Sequence, residues 1–192
     1  MTKQSIHIFF CHSFVNIFMS KKLLVYGLAF GSATAALSYI YMVAVASSPN
    51  AWQHLIAVLG EFLIVPGLGI FLFLRAFKKE NPEQFMLGRA VFLGFFLSII
   101  IGASVSLLFS YISQFRPEII ARLIDIKTAQ FKASKYFSQF SAKDLVLKYQ
   151  EIKDNYTVRS QFVYQLFLGG SRGLFLSAIF AYFMKARMNR DY

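Results

Sequence analysis

Glu61 and Arg172 are the residues best placed to do chemistry, because each interrupts a long apolar stretch. An isolated charge at mid-bilayer costs at least ~2.5–3.5 kcal/mol even on the lenient insertion scale. Counted inward from the same side of the membrane, Glu61 lies about 9 residues deep and Arg172 about 12, roughly 14 and 18 Å at ~1.5 Å per residue. Like depth and opposite sign predict a pair. Arg172 also precedes Gly173 on a small-residue ridge, which should point it into the bundle. Read as structure, this is a static ion pair that fixes how two helices dock. Read as function, it is a gated or proton-coupled pair beside Pro66. That proline removes a backbone donor and crowds the carbonyl of Phe62, which predicts a helix kink, and Gly67 and Gly69 loosen the same turn.

Other reactive residue types form no site. His7, Cys11 and His12 fall on one helical turn, but there is no fourth ligand, so no metal is expected. Cys11 is the single cysteine, which excludes an internal disulfide. His54 reads as a residue at headgroup level. The chain has no HExxH, no nucleophile elbow and no glycine-rich phosphate loop, so no catalytic residue, cofactor or enzymatic activity is expected. Asn155-Tyr156-Thr157 matches a glycosylation sequon, at about the frequency of chance.

The elements that must position Glu61 and Arg172 are membrane helices. Of 192 residues, 57% are hydrophobic and only 15% charged, and mean hydropathy is +0.53, a composition outside the range of ordinary soluble domains. Residues 90–115 carry no charged side chain. As a helix they would be about 39 Å long, more than the ~30 Å hydrocarbon core of a bilayer. Within them Ala90, Gly94, Ser98, Gly102, Ser106 and Ser110 recur at every fourth position, a slowly drifting ridge that admits another helix backbone. Phe92, Phe95, Leu97, Ile99, Ile101 and Leu108 are expected on the opposite faces. Three further spans are predicted, over 23–46, 52–77 and 161–184. The first carries a matching ridge of Gly27, Gly31 and Ala35, a natural partner for the central helix. The last carries Gly169, Gly173, Ser177 and Ala181.

The fold class is therefore an all-α membrane protein, one integral-membrane domain of four transmembrane helices with an amphipathic helical hairpin over 116–160. Pro117 suits the first turn of one hairpin helix. Ser141 with Asp144 resembles a capping box that opens the second. Phe131, Tyr136, Phe137 and Phe140 crowd the region between them, and the hairpin lies on the membrane surface or serves as a partner-binding module.

The net charge of +11 would suggest nucleic acid in a soluble protein. Here Lys21, Lys22, Arg75, Lys78, Lys79, Arg89, Lys185, Arg187 and Arg190 flank span ends, as orientation signals do. The expected partners are the lipid bilayer and a membrane protein or a second copy, with no nucleic acid. Both termini are expected in the cytoplasm and the hairpin outside. Two alternatives stay open near the start. Met19-Ser20-Lys21-Lys22 reads like a second beginning, and Ala44-Val45-Ala46 before Ser47 resembles a signal-peptide cleavage site after an unusually long apolar region.

With the four spans, the basic connector ending in LGRAVFLGFF, the long third span and ISQFRPEII, the chain resembles a bacterial membrane-protein family catalogued as domain of unknown function 4199. The resemblance covers about 21–187 and is strongest from 69 to 117. It implies a bacterial inner-membrane protein and supplies no activity and no functional residues. The function expected is a non-enzymatic accessory or assembly subunit. The alternative is a small transporter or channel, oligomeric because four helices enclose little volume, using Glu61 and Arg172.

Overall fold

The computed structural model describes residues 21–47 and 59–188, which form helices joined by short turns, with no strand among them. Helix α1 (Lys21–Ser47) comes first. A π-helical turn (Gly60–Ile64) then runs straight into α2 (Val65–Glu80). They are followed by α3 (Leu87–Phe115), α4 (Pro117–Lys132), α5 (Ala142–Asp154) and α6 (Val158–Met188). His7, Cys11, His12, His54, Arg190, the turn at 48–50 and residues 52–58 of the expected second span lie outside the described residues.

Proline sets two of the boundaries. Asn81 ends α2 and Arg116 ends α3, both in non-helical backbone, because the residue before a proline is disfavoured in the helical region. Pro117 then occupies the first position of α4, where its missing N–H costs nothing. Ser141 caps α5 as expected, accepting from Asp144 N at 3.3 Å. The return contact differs from a standard capping box, since the Ser141 hydroxyl donates to Asp144 Oδ2 at 2.6 Å.

Three helices, α1, α3 and α6, contain stretches long and apolar enough to cross a membrane, over Lys21–Ala46, Leu87–Phe115 and Val158–Lys185. At 31 residues α6 is about 46 Å long and extends well past a hydrocarbon core. Gly27 faces Ile100 and Gly31 faces Ser104, so α1 and α3 run parallel. Gly102 faces Gln165 and Gly94 faces Ser177, so α6 is antiparallel to α3. Helix α2 returns antiparallel to α1, with Gly69 against Phe30 and Lys22 paired with Glu80.

The core has two parts. One lies within the bundle and includes Ile70, Leu74, Leu93, Leu97 and Ile101. The other joins the hairpin to the bundle, placing Ile119, Ile120 and Leu123 of α4 on Val45, Phe109 and Ile112. Leu97 and Ile101, expected on faces away from the ridge, are fully buried as well. Helix α3 touches α1, α2 and α6 at once, so it buries far more than one stripe. By contrast α5 packs on α4 and buries none of its residues.

Candidate functional site

The site is the seam between α3 and α6. A Cβ added at Gly102 would lie 2.6 Å from the carbonyl oxygen of Gln165, and one at Gly169 would lie 2.7 Å from that of Ser98. At Gly173 it would meet Ser98 Cβ at 2.7 Å and Gly94 O at 2.9 Å. Each obstacle includes backbone, which cannot swing aside as a flexible side chain can. Two helices approach this closely only where neither carries bulk, and in lipid that approach supplies the dispersion contact that holds them together.

Of the six ridge residues, Ala90, Gly94, Ser98, Gly102 and Ser106 are buried and Ser110 is half-buried. A spacing of four advances about 40° beyond a full turn at each step, so the ridge winds around α3. Gly94, Ser98 and Gly102 meet α6, and Ala90 is buried in the bundle cluster that holds Ile70 and Leu74 of α2 together with Ala181 and Met184 of α6. The first helix shows the same geometry from the other side. It buries Gly27, Gly31, Thr34 and Ser38 and leaves Ala35 half-buried, because alternating steps of four and three stay on one face.

The buried hydroxyls are satisfied locally. Thr34 donates to Phe30 O at 2.7 Å, Ser38 to Thr34 O at 3.0 Å and Ser106 to Gly102 O at 3.0 Å. Ser177 donates to Gly173 O in its own helix and reaches Val91 O across the seam at 3.2 Å. A small polar residue that returns its hydrogen bond to its own backbone can be buried at little cost.

Arg172 lies in this seam at 6% exposure, with Nε donating to Ser98 Oγ at 3.3 Å. A guanidinium is costly to bury and is found inside proteins where its planar set of donors is matched. The side chain of Glu61 lies outside the described residues. Its backbone belongs to the π-helical turn, in which Val65 N–H bonds to Gly60 O. Pro66 follows at once and is fully buried. Having no N–H, it leaves the Phe62 carbonyl without its α-helical partner, and the chain widens by a residue to register the bonds differently. Such turns are frequent at functional sites.

The basic flanks gather at one end. Lys22 pairs with Glu80, Lys78 Nζ donates to Met184 O at 2.6 Å, and the Arg89 guanidinium lies 5.4 Å from the Phe77 ring centre. At the other end Arg116 donates to the Glu118 carboxylate and, chiefly through that bond, holds it below the usual carboxylate range. The hairpin's aromatics gather on Phe131, with Phe137, Phe140 and Tyr149 edge-on at 5.3–6.0 Å, while Tyr136 stays exposed.

Two features escape a reading by residue type. The bond from Lys78 to the Met184 carbonyl, one turn before the end of α6, has no signature in sequence beyond a basic residue near a span end. A cleft of about 470 Å³ between α1, α4 and α6 is lined by residues from five separate segments. Among the described residues no three His, Cys, Asp or Glu side chains are grouped to hold a metal ion. A family model described as a protein of unknown function (DUF4199) matches residues 25–186. No curated protein and no solved structure matches the chain.

Proposed function

The chain belongs to that family, whose description states no activity, and from this premise we propose that it is a non-enzymatic accessory or assembly subunit of a membrane complex. It is a bacterial inner-membrane protein of four spans, with both termini cytoplasmic and the hairpin outside. The observation that carries the role is α5. This helix buries none of its residues and turns Val146 and Leu147 outward at 68% and 60% exposure. An element that contributes so little to its own bundle is suited to contribute to another. The antiparallel return of α2 supports the fourth span, and the gathering of Lys22, Lys78 and Arg89 at one end supports the orientation.

The test is affinity purification from native membranes in mild detergent. A partner should co-purify and be lost with Val146→Glu/Leu147→Glu while the chain stays monodisperse. A chain that purifies alone, or a partner indifferent to that variant, overturns the reading. Reporter fusions check the topology. Ser48 and Ala142 should report outside, and Glu80 and Tyr192 inside.

The burial of Arg172 favours one alternative, a small transporter that uses Glu61 and Arg172. Its signature is uptake or leak in reconstituted vesicles that vanishes with Glu61→Gln. A double-mutant cycle on Glu61→Gln and Arg172→Gln reads the pairing itself, and zero coupling energy would sink it. Vesicles tight to all solutes tested would leave the subunit reading standing alone.

A further inference from the structure

The cleft at the outer end of the bundle has the chemistry of a ligand site distinct from the α3–α6 seam. Its floor is apolar, with Val45 from the last turn of α1, Phe109 from α3 and Leu123 from α4. These residues also form the cluster that docks the hairpin, so the floor is continuous with a packed core. Met42 and Ile126 extend it, and the polar part of the wall includes Lys127, Gln130, Gln161 and Tyr156. Burial raises the Tyr156 phenol above its ordinary range, so it is a neutral hydroxyl at physiological pH. Gln161 Nε2 is already committed to Asn155 O at 2.6 Å.

Charge selects the ligand class. Lys127 is the one formal charge among the described lining residues, and no carboxylate lines the cleft. The volume of about 470 Å³ falls in the ~300–1,000 Å³ range of small-molecule sites. A single cation at the mouth of an apolar cavity, placed where membrane spans end, matches a molecule with one anionic head and one hydrocarbon body.

We propose that the cleft binds the acyl chain of an anionic amphiphile, its acidic head on Lys127 and its hydrocarbon against Val45, Phe109 and Leu123. The head is a carboxylate or a phosphate ester, and both offer the acceptor oxygens that an ammonium and amide side chains recognise. A cationic or neutral amphiphile would offer Lys127 no anionic acceptor and should bind more weakly.

Photo-crosslinking tests this. The full chain, reconstituted in phosphatidylcholine nanodiscs, is exposed separately to diazirine-bearing palmitate, phosphatidylglycerol and hexadecanol, and labelled peptides are mapped by mass spectrometry. Labelling by an anionic probe should concentrate in residues 41–45, 109 and 123–130. Lys127→Glu should lower it roughly tenfold, the loss of one charge-assisted contact, and hexadecanol should label these positions at a similarly low level. Palmitate alone labelling identifies a free fatty acid as the ligand, and phosphatidylglycerol labelling identifies a phospholipid. Leu123→Trp should block the floor for any head. Lys127 is exposed, so its variant keeps the test decisive if Leu123→Trp does not fold. Labelling spread over outward-facing Leu107 and Phe167, or equal for hexadecanol and palmitate, or unchanged by Lys127→Glu, overturns the proposal.

Discussion

The seam between α3 and α6 and the cluster beneath the hairpin are both tightly packed, yet they are built from opposite materials. In the seam the contact residues are Gly94, Ser98, Gly102, Gly169 and Gly173, and backbone meets backbone. Under the hairpin they are Phe109, Ile112, Ile119, Ile120 and Leu123, and bulk meets bulk. The surrounding medium explains the contrast. Lipid tails are as apolar as leucine, so large side chains gain little by leaving them, and close approach is the available source of attraction. In the proposed topology α4 lies beyond the spans and meets water, where removing apolar area contributes ~25 cal/mol per Å².

The largest test of that contrast is Ile119→Ala. Removing this buried side chain should cost about 2–5 kcal/mol, the range for large-to-alanine changes in a core. The loss should be confined to the hairpin, read as faster hydrogen exchange in α4 with exchange in α3 unchanged. Loss of protection along α3 as well would mean the two regions fold as one unit and the contrast is superficial.

Next in size is Gly102→Leu, which places bulk against the Gln165 carbonyl. It should cost about 1–3 kcal/mol, as overpacking does, while Ile101→Leu costs less than about 1.5. The measurement is folded yield during detergent denaturation. Equal tolerance would mean the seam opens freely and that close approach does not hold it.

Ser141→Ala removes the cap of α5 and should cost about 1 kcal/mol. Because α5 buries nothing, the change should appear as fraying of that helix in hydrogen exchange, with the unfolding of the spans unaltered. A shift in the spans would show α5 coupled to the bundle more firmly than its contacts suggest.

The smallest effect is expected at Gly88, the control for Gly102. Nothing lies within 4 Å of a Cβ built there. Gly88→Ala should be neutral or stabilise by up to about 1 kcal/mol through helix propensity alone. A clear destabilisation would show that glycine in α3 matters for a reason other than space.

Much of this was legible from residue types. Small residues at regular spacing marked the seam, Pro117 and Ser141 marked the hairpin helices, and charge placement marked the basic end. The ridge on α1 was harder. Gly27, Gly31 and Ala35 keep a strict four-residue period, but the buried face follows Thr34 and Ser38, because helical phase rather than spacing selects it. The full burial of Leu97 and Ile101 was not legible for a related reason, since a helix with three neighbours hides most of its circumference. The π-helical turn had a local cause in Pro66, but how the chain absorbs a missing donor is settled by what packs around it.

Composition and period by themselves determined that the chain is helical, that it favours lipid and that its helices carry small-residue faces, because these depend on each residue's own transfer energy and on its position along one helix. Which face meets which partner was decided only in the tertiary structure. Gly102 could have faced α1, and it faces α6. The ridge beside Arg172 pointed it into the bundle, but its place against Ser98 came only with the packing. The cleft around Lys127 gathers residues from 41 to 165 that share no pattern along the chain. Contacts between distant segments depend on how helices cross, and crossing is set by the fit of several surfaces at once, which no single stretch of sequence encodes.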